Sequence, residues 1–335
     1  MRVRFGLSVL GAAAGWISRA GGHIAGGIRT LVAGFLIVSG IGATPSPLHA
    51  AQQAADHDKA WIDARSMCLF RLGGAMPRNP QELSTALVAG WQNSIALPDS
   101  TRAISIEGAD YPAIGALRID LSSGRVKVSN RKDRIRVNNK VEQNLHVGHL
   151  EVRGEPLLVR RAKIHMSLVA DGAHIDLERD RRGRPVMMLA DARSGSLSFD
   201  VTQADAEWLL LQSARESASH YGVTIERMHL HVEPETPRSV QATLHVFTWV
   251  GPIPAGLVFK AHMTVDDAMN ARISGLTVDG DEALGPLIVN FLRPGLQKYN
   301  GQTRRLMSFP AGNLQLRDVA VRVDDSLHLT AAFGS

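Results

Sequence analysis

A single cysteine, Cys68, stands in a chain of 335 residues. That excludes an intrachain disulfide and any zinc site built on several cysteines. Aromatic residues are scarce, at 5%, so aliphatic side chains must fill most of a core. The chain also lacks a G-x-S-x-G elbow, a Walker loop and a dinucleotide glycine fingerprint. His229, His231 and Glu233 share one strand face, as a metal site would need. The deaminase pattern that begins His-x-Glu demands a downstream cysteine pair, which is absent. These three therefore read as surface residues. No enzyme activity, metal or cofactor is expected.

Charge of one sign is missing from the first 50 residues, which hold Arg2, Arg4, Arg19 and Arg29 and no acid. An apolar run, Leu31 to Val38, follows these arginines and fades through Ala43. Pro45 and Pro47 end any helix, and Leu48-His49-Ala50 offers a small residue for cleavage. This is the layout of a secretory signal peptide. The run is about 13 residues, short for a bilayer span, and an uncleaved anchor is the alternative. Without residues 1–50 the net charge falls from +5 to +1. The basic balance thus belongs to the leader and does not argue for nucleic acid. The expected location is the periplasm or the exterior.

Beyond the leader, residues 51–100 read as an N-terminal helical segment and 101–335 as a β-rich domain. Asn79-Pro80-Gln81-Glu82 is a helix start with a capping box. Leu83, Leu87, Trp91 and Ile95 then form one apolar stripe. From Ile104 the period becomes two. Ser122-Ser123-Gly124 and Asp171-Gly172 read as hairpin turns. A second helix is expected from Thr202 to Gly222, with Ala204, Trp208, Leu211, Ala214, Ala218 and Tyr221 on one face. Strands follow near 223–233, 238–250, 257–265 and 271–278, then near 314–324 and 327–333. Phase slips at Gly148, at Gly275 and between Leu316 and Val319 suggest β-bulges. Repeated bulges suggest a curved sheet whose concave side a helix could cover. Leu284 to Phe291 carries no charge and reads as a helix buried on more than one side, broken at Arg293-Pro294-Gly295.

From about Leu145 to Phe333 the order of elements resembles the LmeA-type phospholipid-binding family of secreted bacterial envelope proteins. The stretches DGAHIDLERDRRGRPVMMLADARSGSLSFDVTQADAEWLL, HVFTWVGPIPAGLVFKAHMTV, ARISGLTVDG and SFPAGNLQLRDVAVRVDDSLHLTAAFG carry the likeness. The resemblance implies an α+β fold: a long, curved, bulged antiparallel sheet wrapped around two or three helices as a tube. It implies binding of anionic phospholipid without catalysis.

On this reading Leu287, Ile288, Phe291, Trp208 and Leu211 would contact lipid tails. Headgroup or membrane contact would fall to Arg131, Lys132, Arg134 and Arg136 of a basic interval, and to Phe247 and Trp249. That interval sets seven basic side chains of residues 125–140 against Asp133 alone, and phosphate suits it. Without interleaved aromatics it does not suit single-stranded nucleic acid. Phe247 and Trp249 face away from the Val240, Ala242, Leu244 and Val246 side of their strand, so its end is apolar on both faces. The expected partner is phospholipid or a membrane surface. The alternative is a structural or assembly protein of the envelope that binds a protein partner. The sequence leaves the lipid species and the oligomeric state open.

Overall fold

A computed structural model describes Ile62–Asp63 and residues 68–335, apart from short stretches at 93, 101, 109, 128–135, 138–139, 219–222, 251, 282–284 and 307–313. Residues 1–50, where a leader was expected, and Arg131, Lys132 and Arg134 lie outside the described residues. In chain order come β1 (Ile62–Asp63), β2 (Cys68–Arg71), α1 (Pro80–Trp91), β3 (Ile95–Ala96), β4 (Ile104–Glu107), β5 (Ala113–Asp120), β6 (Arg125–Val126) and β7 (Arg136–Val137). Then come β8 (Gln143–Val159), β9 (Ala162–Arg179), β10 (Pro185–Asp191), β11 (Ser194–Thr202), α2 (Gln203–Ala218), β12 (Val223–Thr236), β13 (Ser239–Val250) and β14 (Ile253–Val265). The chain continues with β15 (Asn270–Asp281), α3 (Gly285–Gln297), β16 (Thr303–Arg305), β17 (Gln315–Val323) and β18 (Ser326–Gly334).

The strands form two main open sheets. The large one has 11 strands, with the path β17-β18-β11-β9-β8-β5-β4 and β2, β3, β6 and β10 attached beside it. The small one is a meander, β12-β13-β14-β15-β16. Neither sheet is closed or strongly curled. The fold is α+β as expected, but the tubular, wrapped sheet is not formed. Bulges do occur: register shifts fall between Leu316 and Asp318, and on β15 beside Gly275, whose φ is +60. Gly148 marks no shift; on β8 the shift lies between Gly154 and Leu157. A few bulges bend strands locally, and here they leave both sheets open.

The large sheet is mixed, because β5 and β6 both run parallel to β8. Both expected hairpins there are absent. After Ser123, with φ 59, the chain does not fold back on β5. Instead it makes a short detour and rejoins the same edge of β8, with β6 also paired to β3. At Asp171-Gly172 the chain runs straight on through β9, and the reversal falls at Arg160, between Val159 and Ala162. Glycine has another job at this level of the sheet. Gly148 lies between β5 and β9, and a Cβ on it would come within 2.6 Å of the Gly115 carbonyl oxygen.

Two apolar cores result. The first buries Leu83, Leu87 and Trp91 of α1 against Leu117, Leu150 and Ile175 of the large sheet. Each fully buried leucine contributes roughly 1.5–3 kcal/mol. The helix starts where the sequence says: Asn79 Oδ1 accepts from the Glu82 N–H at 2.8 Å, and Glu82 accepts in return from Asn79 and the Arg78 N–H. The second core joins the inner face of the small sheet (Leu230, Leu244, Phe259) to Leu210 of α2, to Val289, Leu292 and Leu296 of α3, and to Val319 and Ala331 of the large sheet. Leu197 and Leu327 pack against both cores.

Helix α2 buries Ala214 and Ala218 as expected, but together with Ala206 and Leu210; Trp208 and Leu211 are half-buried and Ala204 is exposed. The helix protects an edge. Strand β12 has β13 on one side only, which leaves backbone groups unpaired on the other. Glu207 Oε1 accepts from the Leu230 N–H at 2.9 Å, Gln203 Nε2 donates to the Leu230 carbonyl at 2.6 Å, and Arg215 Nε donates to the Ile225 carbonyl at 2.6 Å. Arg215 also donates to the Glu226 carbonyl.

Candidate functional site: an aromatic platform on the small sheet

The five residues expected to hold lipid tails do not line one groove. Trp208 and Leu211 belong to α2, which packs on β12, whereas Leu287, Ile288 and Phe291 belong to α3, which packs on β15 and β14. Three strand spacings, about 14 Å, separate those two packing sites. Trp208 is half-buried beneath the Arg161 guanidinium, 4.5 Å from its ring. Helix α3 continues through Pro294 to Gln297 and is amphipathic. It buries Val289, Leu292 and Leu296 but exposes Leu287 at 68%. A helix buried on several sides would not do so. No cavity among the described residues supports lipid binding. The lipid-groove expectation fails on these three points. Arg136 is placed on β7, beside β1.

Phe247 and Trp249 take the outward positions expected of them. On β13, Val240, Ala242, Leu244, Val246 and Thr248 are buried, so strand alternation turns Phe247 and Trp249 away from the core. Trp249 is 38% exposed, and its indole N–H donates to Glu226 Oε2 at 3.0 Å. The Arg227 guanidinium lies over the Phe247 ring at 4.1 Å, and His229 meets the same ring edge-on at 6.3 Å.

Glu226 and Arg227 are the members of the site that sequence reasoning missed. Ile225 pairs with Thr248 and Arg227 with Phe247, so β12 holds one residue too many and bulges at Glu226. Both charged side chains therefore reach the outer face in succession. The signal was legible: Ile225-Glu226-Arg227-Met228 places two polar residues between two core residues, which breaks strict alternation.

Cross-strand register extends the site across four strands. Arg227 lies opposite Phe247, Phe247 opposite Gly256, and Gly256 opposite Asp281. The next row runs His229, His245, Val258, Asp279. The row is basic at the β12 side and acidic at the β15 side, with an aromatic ring between. A side chain at position 256 would displace the Asp281 carboxylate, whose Oδ1 lies 1.9 Å from where its Cβ would be. Of the four large apolar side chains that are exposed among the described residues, Trp249, Ile253 and Leu287 lie in the β13–β14 hairpin or α3, and the fourth is Val141.

His231 pairs with Glu233 at 2.8 Å, and both are well exposed, as surface residues of a strand should be. Among the described residues no group of three or more His, Cys, Asp or Glu is arranged to hold a metal ion. No helix among them is long and apolar enough to cross a membrane. Comparison with protein-family models, with curated proteins and with solved structures found no match for this chain.

Proposed function

We propose that this is a non-catalytic protein of the cell envelope that binds a protein partner through the outer face of β12 and β13. The observation that carries this reading is the platform of Trp249, Phe247, Arg227 and Glu226. Tryptophan and arginine dominate the energetics of protein interfaces when they sit on a rigid support. Here two aromatic rings stand on a hydrogen-bonded sheet, each already oriented by a charged neighbour, so little side-chain entropy remains to be lost on docking.

The test is photo-crosslinking from a photoreactive residue placed at the exposed position of Thr224, opposite Trp249 in register, followed by purification of the captured protein. We expect that protein to bind the native chain directly and to lose about 30-fold in affinity when Trp249→Ala is introduced, the scale of an interface hot spot. Thermal stability should change little, because the ring is exposed. If the purified candidate binds the Trp249→Ala chain equally well, the reading is wrong.

A further inference from the structure

His328 on β18 stands between two carboxylates. Its Nδ1 lies 2.6 Å from Asp200 Oδ2 on β11, and its Nε2 lies 2.9 Å from Asp324 Oδ1 beside the β17–β18 turn. An ionised carboxylate only accepts hydrogen bonds, and a neutral imidazole donates from one nitrogen only. Both contacts are favourable together only for the imidazolium. The neutral ring must set a lone pair against one of the two carboxylates. Asp324 is held below the usual carboxylate range, first by this histidine and then by the Ser326 N–H. Other charged groups facing the cluster are few. Arg322 lies opposite His328 in register and reaches Asp324 at 3.6 Å, and His165 of β9 lies opposite Asp200.

The turn beside this histidine touches the helix that orders the platform. The Asp325 carbonyl accepts from the backbone N–H of Gln203, the first residue of α2, at 3.5 Å. Gln203 and Glu207 hold Leu230 of β12, and Arg215 holds the carbonyls of Ile225 and Glu226 at the bulge. A continuous path of contacts thus runs from His328 to the residues that orient Trp249 and Phe247.

We propose that His328 is an acid-engaged latch: protonated, it clamps the β17–β18 turn against β11 and steadies α2 and the Glu226–Arg227 bulge. With the ring neutral, one contact is lost and the platform strand opens more often. The sign follows from side-chain chemistry in general: imidazole is the side chain whose ordinary range falls between about pH 5 and 8, and carboxylates ionise well below it. Partner binding tighter at pH 5.5 than at pH 8 is the consequence, and that clause alone rests on the proposed function.

Amide hydrogen exchange of the full chain, corrected for intrinsic rates, tests the latch without a partner. Residues 323–330 and 223–230 should exchange about fivefold faster at pH 8.0 than at pH 5.5, the scale of one partly exposed charge-assisted hydrogen bond. His328→Gln should abolish that difference in both segments. Asp324→Asn, which keeps the histidine, should do the same and serves if the first variant folds poorly. A second histidine–carboxylate pair, His229 with Glu207 at 3.8 Å, also faces β12. Should the pH dependence of 223–230 survive His328→Gln and vanish in His229→Gln, the latch is overturned. It is equally overturned if neither segment responds to pH.

Discussion

The small sheet and the large sheet are built by opposite rules. In the small sheet every strand pairs with the next in sequence, β12 through β16, by antiparallel ladders. In the large sheet consecutive pairs such as β8–β9 and β17–β18 are mixed with neighbours that come from far apart. Strand β11 pairs with β18, so that Gly195 faces Phe333, and β5 and β6 lie parallel to β8. A meander closes its own contacts within a few residues of each turn. A mixed sheet must be assembled from segments that carry no local record of their partner.

The two sheets nevertheless share Leu197 and Leu327, which touch both cores. They should therefore melt as one unit, and core substitutions offer the strongest way to break that expectation. Leu244→Ala in the small sheet and Leu150→Ala in the large one each delete a side chain that is 0% exposed. Each should cost about 2–5 kcal/mol, and calorimetry should show both shifting a single transition. Two transitions, with one moving per variant, would mean that the cores are independent.

A smaller effect separates the sheets by how their edges are kept. Arg215→Ala leaves the carbonyls of Ile225 and Glu226 without their partner, at a cost of about 1–3 kcal/mol. Exchange should rise along β12 first, with the large sheet unaffected, and the variant should self-associate more readily at high concentration.

The smallest expected effect concerns the joint between the sheets. Arg238, in the β12–β13 turn, bonds Asp318 of β17 at 2.7 Å, and the Val321 N–H donates to the Pro237 carbonyl at 2.8 Å. The Arg238 guanidinium holds the Asp318 carboxyl below its usual range. A carboxylate lowered in the folded state contributes stability above its unfolded value, about 3.9, and loses it as pH falls through the folded value. Exchange of β17 should therefore be level between pH 7 and pH 5 and accelerate in more acidic solution. Arg238→Ala should flatten that acid limb. Both groups are partly exposed, so added salt should weaken the effect.

The same contrast explains what the sequence made legible. Strands expected near 223–233, 238–250, 257–265 and 271–278 match β12 to β15 closely, because alternation and turn residues there report local pairing. The α1 start at Asn79 was equally local. Ser123-Gly124 and Asp171-Gly172 misled because turn chemistry reports backbone conformation, not the direction taken afterwards. Gly124 lies in the detour that rejoins β8, and Gly172 takes φ +58 within β9 without reversing it. The aromatic pair at 247 and 249 was found from alternation alone. Arg227 and Glu226 were overlooked because their phase slip was not read as a bulge. The lipid groove rested on a family resemblance, an expected curved sheet and an uncharged segment, yet the sheets are open, Leu287 is exposed and α3 needs only one apolar stripe.

Residues 203–305, the whole small sheet with α2 and α3, lie in sequence between β11 and the strands that complete its row, β17 and β18. During synthesis β11 must wait for the 123 residues between Thr202 and Ser326 before its second neighbour, β18, is made, roughly ten seconds at common elongation rates. Throughout that interval Leu197 and Phe199 sit on an unfinished edge while the meander beside them can already fold. The vulnerable species of this protein is thus a nascent chain, and its safety depends on how quickly residues 315–334 arrive.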